Sequence, residues 1–105
     1  MSIDSATTIA PVHPPIHPGE ILADELAEIG VSQSELARAL GVPRSRISEI
    51  IRGLRPITAD TGLRLSRYFG MSDGFWINLQ ADYDMQVALD RFADELARVQ
   101  PRRAR

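Results

Sequence analysis

The chain's 105 residues, 44% of them hydrophobic and 25% charged, supply one compact core and no more. No apolar run approaches the ~18 residues of a membrane-spanning helix, and the absence of cysteine excludes disulfides, thiolate nucleophiles and Cys-ligated zinc together. A formal net charge of −2 speaks against a nucleic-acid partner only as an average over the chain.

The charges are unevenly placed. Residues 1–35 carry six acids and no Arg, whereas residues 36–70 carry seven Arg (38, 44, 46, 52, 55, 64 and 67) against Glu49 and Asp60. Residues 71–99 return to six acids against Arg91 and Arg98, and Arg102, Arg103 and Arg105 make a basic tail at 100–105. A basic middle third in an otherwise acidic chain is the pattern of a single anion-binding face.

In chain order, residues 1–15 are rich in Ser, Thr, Ala and Pro and are expected to be a flexible segment that buries nothing. They show neither a basic n-region nor an apolar h-region, so no secretory signal is read there, and the expected location is cytoplasmic, associated with the nucleoid. From Ile16 to Val99 the pattern predicts a folded domain. His17 can cap a helix with Pro18 in its first position, Glu20 completing a capping box and Ile16 packed on Ile21; Gly30 ends it near Ile29. Ser32 and Glu35 form a second capping box, opening a helix over Gln33–Leu40 that Gly41 closes. Pro43 starts a third helix whose end is set by Gly53, Thr58 caps a fourth that Gly70 ends, and Ser72 caps a fifth. No segment alternates apolar and polar residues for long enough to make a strand, so the fold class is all-α with five helices.

The fifth helix has two apolar faces: Trp76, Leu79, Tyr83 and Val87 on one, and Met85, Leu89, Phe92, Leu96 and Val99 roughly opposite. A break around Asp82 to Asp84 would account for this. The reading adopted is that one face packs on its own domain and the other, chiefly Met85, Leu89, Phe92 and Leu96, forms a dimer interface.

Residues 33–52 carry the functional signal. Leu36, Leu40, Val42, Ile47 and Ile50 would fill the angle between two helices crossing steeply, Ala37 must be small beneath the second helix, and Gly41 takes the positive φ of a sharp turn. These are separate steric demands of a helix-turn-helix, met together. What stays outside that core is polar. Arg44, Ser45, Arg46, Ser48 and Glu49 are the expected base readers, since Arg can bind guanine O6 and N7 and Glu can accept from cytosine N4 in the major groove. Glu49 could equally orient an Arg. Gln33 and Ser34, at an amide-rich helix start, and Arg52 and Arg55 are the expected phosphate contacts.

The segments His17-Pro18-Gly19-Glu20-Ile21-Leu22, Ser32 to Gly53, Ile57-Thr58-Ala59-Asp60-Thr61, Phe75-Trp76-Ile77-Asn78-Leu79-Gln80-Ala81 and Tyr83-Asp84 together resemble the HigA-type antitoxins, a branch of the Xre/Cro (lambda repressor-like) helix-turn-helix repressors. The resemblance covers about residues 17–87. It implies an antitoxin that neutralises a RelE-like mRNA-cleaving toxin and, as a homodimer, represses its own operon by binding a palindromic operator in double-stranded DNA. It places recognition positions on Arg44, Ser45, Arg46, Ser48 and Glu49. A stand-alone repressor without a toxin and a protein-interaction module that does not bind DNA remain open alternatives.

Other candidate sites carry less. His13 and His17 have metal-ligand spacing, but Pro14, Pro15 and Pro18 prevent a continuous helix between them. Asp82, Asp84 and Asp90 lack a pocket-forming partner for acid–base chemistry. Phe75, Trp76 and Tyr83 are read as core or interface rather than base-stacking residues. No catalytic site, metal or cofactor is expected.

Overall fold

The computed structural model describes residues 14–102; His13, Arg103, Arg105 and most of the expected flexible segment lie outside it. Six helices follow in order: α1 Pro18–Ile29, α2 Gln33–Leu40, α3 Arg44–Ile51, α4 Ala59–Phe69, α5 Phe75–Arg91 and α6 Ala93–Ala97. No strand occurs among the described residues.

The helix starts follow local chemistry. His17 Nδ1 accepts from the Gly19 amide at 2.8 Å with Pro18 in the first turn, although Glu20 does not close the reciprocal arm of a box. Ser32 and Glu35 do: the Ser32 hydroxyl accepts from the Glu35 amide and the Glu35 carboxylate accepts from the Ser32 amide, each at 3.1 Å. Thr58 Oγ1 caps α4 by accepting from the Thr61 amide. At the opposite ends, α2, α3 and α4 close with the same pair of bonds, which in α2 are the Gly41 amide to Arg38 O and the Val42 amide to Ala37 O. α1 closes with both the Gly30 and the Val31 amides on Leu26 O, and Gly30, Gly41, Gly53 and Gly70 all take positive φ.

Two expectations for the C-terminal half are corrected. Ser72 is not the side-chain cap of the fifth helix: the Ser72 carbonyl accepts from the Phe75 amide in a turn, Gly74 takes an αR conformation, and α5 starts at Phe75 with no side-chain cap. The last helix is not continuous, and its break lies not at Asp82 to Asp84 but at Phe92. There φ is −111°; the Phe92 amide closes α5 on Ala88 O, and the Phe92 carbonyl accepts from the Leu96 amide to open α6. The count among the described residues is therefore six helices rather than five.

The core is Leu22, Leu26, Leu36, Ala37, Leu40, Ile47, Ile50, Ile57, Leu65 and Trp76, fringed by Ile21, Val31, Val42, Ile51, Phe69, Met71 and Leu79. Burying these side chains at about 1.5–3 kcal/mol for each large one is the main force holding α3 in place. Close backbone approaches tighten it. Any Cβ on Gly19 would run into the Ile50 carbonyl oxygen, so the start of α1 lies directly on the end of α3. Gln80, 7% exposed, accepts at Oε1 from the Ile57 amide at 2.8 Å and donates from Nε2 to Asp84, which ties α5 to the segment before α4. The loop before α5 is held in turn by Arg67, whose hydrogen bonds keep the Asp73 carboxyl below the usual carboxylate range.

Candidate nucleic-acid interface

α2, the turn Gly41-Val42-Pro43 and α3 form the bend expected of a helix-turn-helix. Ile47 and Ile50 are fully buried, Ala37 is 3% exposed and Leu40 6%, so α3 is fixed from behind on α2 and α1. Gly41 at φ 73° and ψ 35° makes the turn; this left-handed region is one that other residues enter with strain.

At about 100° per residue, Arg44, Ser48, Arg52, Ser45 and Glu49 sweep an arc of roughly 140° on α3, opposite the buried Ile47 and Ile50. Arg44, Ser45 and Arg52 are exposed, and Ser48 and Glu49 are half-buried. Among the described residues, Arg44 and Arg52 have neither an ion pair nor a side-chain hydrogen bond, so their guanidiniums are available to a ligand. Arg46 sits at the margin of the arc beside α4, its Nη1 3.7 Å from Asp60 Oδ2.

Glu49 and Arg55 meet at 2.8 Å, with both Nε and Nη2 of Arg55 reaching the same Glu49 oxygen. Of the two roles open to Glu49, this favours orienting an arginine, and it masks the one carboxylate on the exposed face of α3. Arg55, expected on phosphate, is in the same pair and could reach a phosphate only by sharing or leaving it. Gln33 and Ser34 lie half-buried in the first turn of α2. Below the arc, His17 packs edge-on against the Tyr83 ring, with centroids 4.9 Å apart, in a pocket that Gly53, Arg55, Gln80 and Asp84 also line.

Two groups on this surface escape sequence reading. Asp60 and Arg64 on α4 lie beside the basic arc, with Arg64 Nε donating to Asp60 Oδ1 at 2.9 Å and Arg64 Nη1 to Leu40 O at 2.7 Å. Their i, i+4 spacing was a visible signal for the first bond; nothing local indicates the second.

The far end of the molecule is different in character. Trp76 is fully buried and Phe75 makes an edge contact with it, while Leu79, Tyr83 and Val87 are half-buried against the domain. Met85, Leu89, Phe92, Leu96 and Val99 are 57%, 53%, 43%, 46% and 70% exposed, an apolar strip along α5, α6 and the residues just after it that no other described residue covers. No cluster of three or more metal-ligating side chains, and no helix long and apolar enough to cross a membrane, occurs among the described residues.

A surface of this kind defines a helix-turn-helix protein, and comparison with known proteins agrees: the family model described as "Helix-turn-helix" matches residues 22–76. The chain is 55% identical over 76 residues, 71% of its own length and 70% of the relative's, to Virulence-associated protein I of Dichelobacter nodosus. Its structure is similar to that of an addiction module antidote protein of a HigA family from Coxiella burnetii, with TM-score 0.82, 44% identity, and 86% of this chain and all of that one covered. It is similar as well to Pseudomonas aeruginosa antitoxin HigA, solved with the higBA promoter, with TM-score 0.79, 44% identity, and 83% of this chain and 97% of that one covered. The chain belongs to the Xre-like helix-turn-helix family, in its branch of HigA-type antitoxins.

Proposed function

We propose that this chain is an autorepressing antitoxin: it neutralises a RelE-like mRNA-cleaving toxin and, as a dimer, silences its own operon by binding palindromic operator DNA. The observation that carries the DNA half is the rigidly backed, outward arc of Arg44, Ser45, Ser48 and Arg52 on α3, with Arg46 and the Glu49–Arg55 pair at its edges. It is supported by the homologous P. aeruginosa antitoxin HigA having been solved with the higBA promoter.

Arg44 and Ser45, at the N-terminal end of α3, read base edges; Arg46 and Ser48 extend that contact, and Glu49 holds Arg55. Gln33, Ser34 and Arg52 bind phosphate and set the register, with Arg55 joining them where its pair with Glu49 allows. The apolar strip of Met85, Leu89, Phe92 and Leu96 seals against a second copy. That arrangement sets two α3 helices about 34 Å apart, in successive major grooves on one side of the duplex. Work on DNA in a bacterial cell puts the protein in the cytoplasm, at the nucleoid.

The toxin half rests on family membership, and a neighbouring gene tests it. A small basic open reading frame beside this gene whose product co-purifies with the chain supports it; no such partner leaves a stand-alone repressor. A gel shift with the gene's own upstream DNA tests the repressor half: a discrete complex that outcompetes random duplex is expected, and no shift would leave a protein-interaction module.

A further inference from the structure

Resting on that reading of α3, we propose that Asp60 of α4 is a specificity-determining positioning residue: its carboxylate holds the Arg46 guanidinium toward a guanine edge and away from the phosphates. Asp60 lies in the first turn of α4, after the Thr58 cap, where the helix dipole favours a negative charge. Its Oδ1 accepts from Arg64 Nε at 2.9 Å. Arg64 is itself immobilised, since its Nη1 donates at 2.7 Å to Leu40 O, one of the carbonyls left open at the C-terminal end of α2, and lies against Gly41 of the turn. The carboxylate is thus braced from α4 and α2 at once. Its second oxygen faces Arg46 Nη1 at 3.7 Å.

The electrostatic energy of such a pair is small, because Asp60 is 60% and Arg46 32% exposed in their side chains. What the pair changes is geometry. A guanidinium carries five donors in a planar fork, so one edge can rest on Asp60 while another binds guanine O6 and N7. Arg46 stands at the margin of the α3 arc, on the side of α4. Without a fixed anion there it is free to swing to the nearest phosphate, a contact that holds DNA without reading it.

The test is fluorescence anisotropy of full-length wild type and Asp60→Asn on the gene's upstream DNA and on a scrambled duplex, across a salt series. Losing a carboxylate near DNA in any role strengthens both complexes by one factor. The positioning role predicts asymmetry: scrambled DNA is bound more tightly and with a salt slope steeper by about 1.8, one added phosphate contact in each subunit of the dimer, while the upstream site does not follow. The ratio of specific to random affinity should fall about three- to tenfold, and base preference should relax at one position per half-site. In an Arg46→Ala background, Asp60→Asn should move both duplexes equally. Equal strengthening of both duplexes in the wild-type background, or an undiminished fall of the ratio without Arg46, overturns the proposal. Thermal unfolding checks that the variant is folded, and Asp60→Ser, which keeps a cap-competent oxygen at the start of α4, replaces it if it is not. A wild type that fails to distinguish the two duplexes overturns the reading of α3 itself.

Discussion

His17 shows at the level of one residue how the sequence motif and the fold meet. Its Nδ1 must be unprotonated to accept from the Gly19 amide, and the ring packs on Tyr83. Burial lowers its pKa from the usual 6.5, against opposing pulls from Glu20 and Asp84. With the folded-state pKa below the unfolded one, the unfolded chain takes up a proton first as the pH falls. Stability from this residue is therefore complete above about pH 6.5, declines below it and levels off beneath the folded-state value. Thermal melts between pH 7.5 and 5 should show that decline in wild type and a flatter dependence in His17→Asn; parallel curves would remove His17 from the account. The capping role of His17 was legible because a cap is local, as were the outward arginines of α3, because helical periodicity assigns their face. The partners of Glu49, Arg46 and Gln80 were not specified: each bond depends on where another element ends up, 23 residues away for the Ile57 amide that Gln80 binds.

For the elements, α1 to α4 could be read almost to the residue because each opens on a polar cap or a proline and closes on a glycine. The same logic failed at α5, where a backbone turn does the work assigned to Ser72, and at Phe92, where neither Gly nor Pro marks the break. The contact between α1 and α3 was also illegible, since Gly19 is required there by a carbonyl from another helix. Gly19→Ala should therefore destabilise the fold by about 1–3 kcal/mol, although alanine is the better helix former. A drop in Tm of roughly 4 °C or more is expected by differential scanning calorimetry. An unchanged or raised Tm would mean that α1 is not seated on the end of α3 as described.

At the scale of the whole fold, the described residues span 52 × 28 × 24 Å, long because α5 and α6 extend past the domain, and they separate two surfaces: a basic one at α3 and an apolar one at the far helices. The exposure of that apolar strip follows from periodicity, and with it the expectation that a second copy covers it; the geometry of such a contact does not, because one chain's sequence does not contain its partner's position. If a second copy covers it, Leu89→Asp with Leu96→Asp should give a monomer by light scattering. Operator affinity should then fall about a hundredfold or more, since the two half-sites are no longer held jointly. Both side chains are half-exposed, so the monomer itself should stay folded. A double variant that remains dimeric would place the interface elsewhere.

The central claim, that α3 presents its arginines to base edges, is tested most directly by binding wild type and Arg44→Ala to the gene's upstream DNA and to scrambled duplex across a salt series. Log affinity of the wild type should fall against log salt with a slope of about −5 to −7, as expected for three or four phosphates neutralised per subunit. Arg44→Ala should lose about 1–3 kcal/mol on the upstream site and distinctly less on scrambled DNA. A flat salt dependence, or equal losses on both duplexes, would contradict the account.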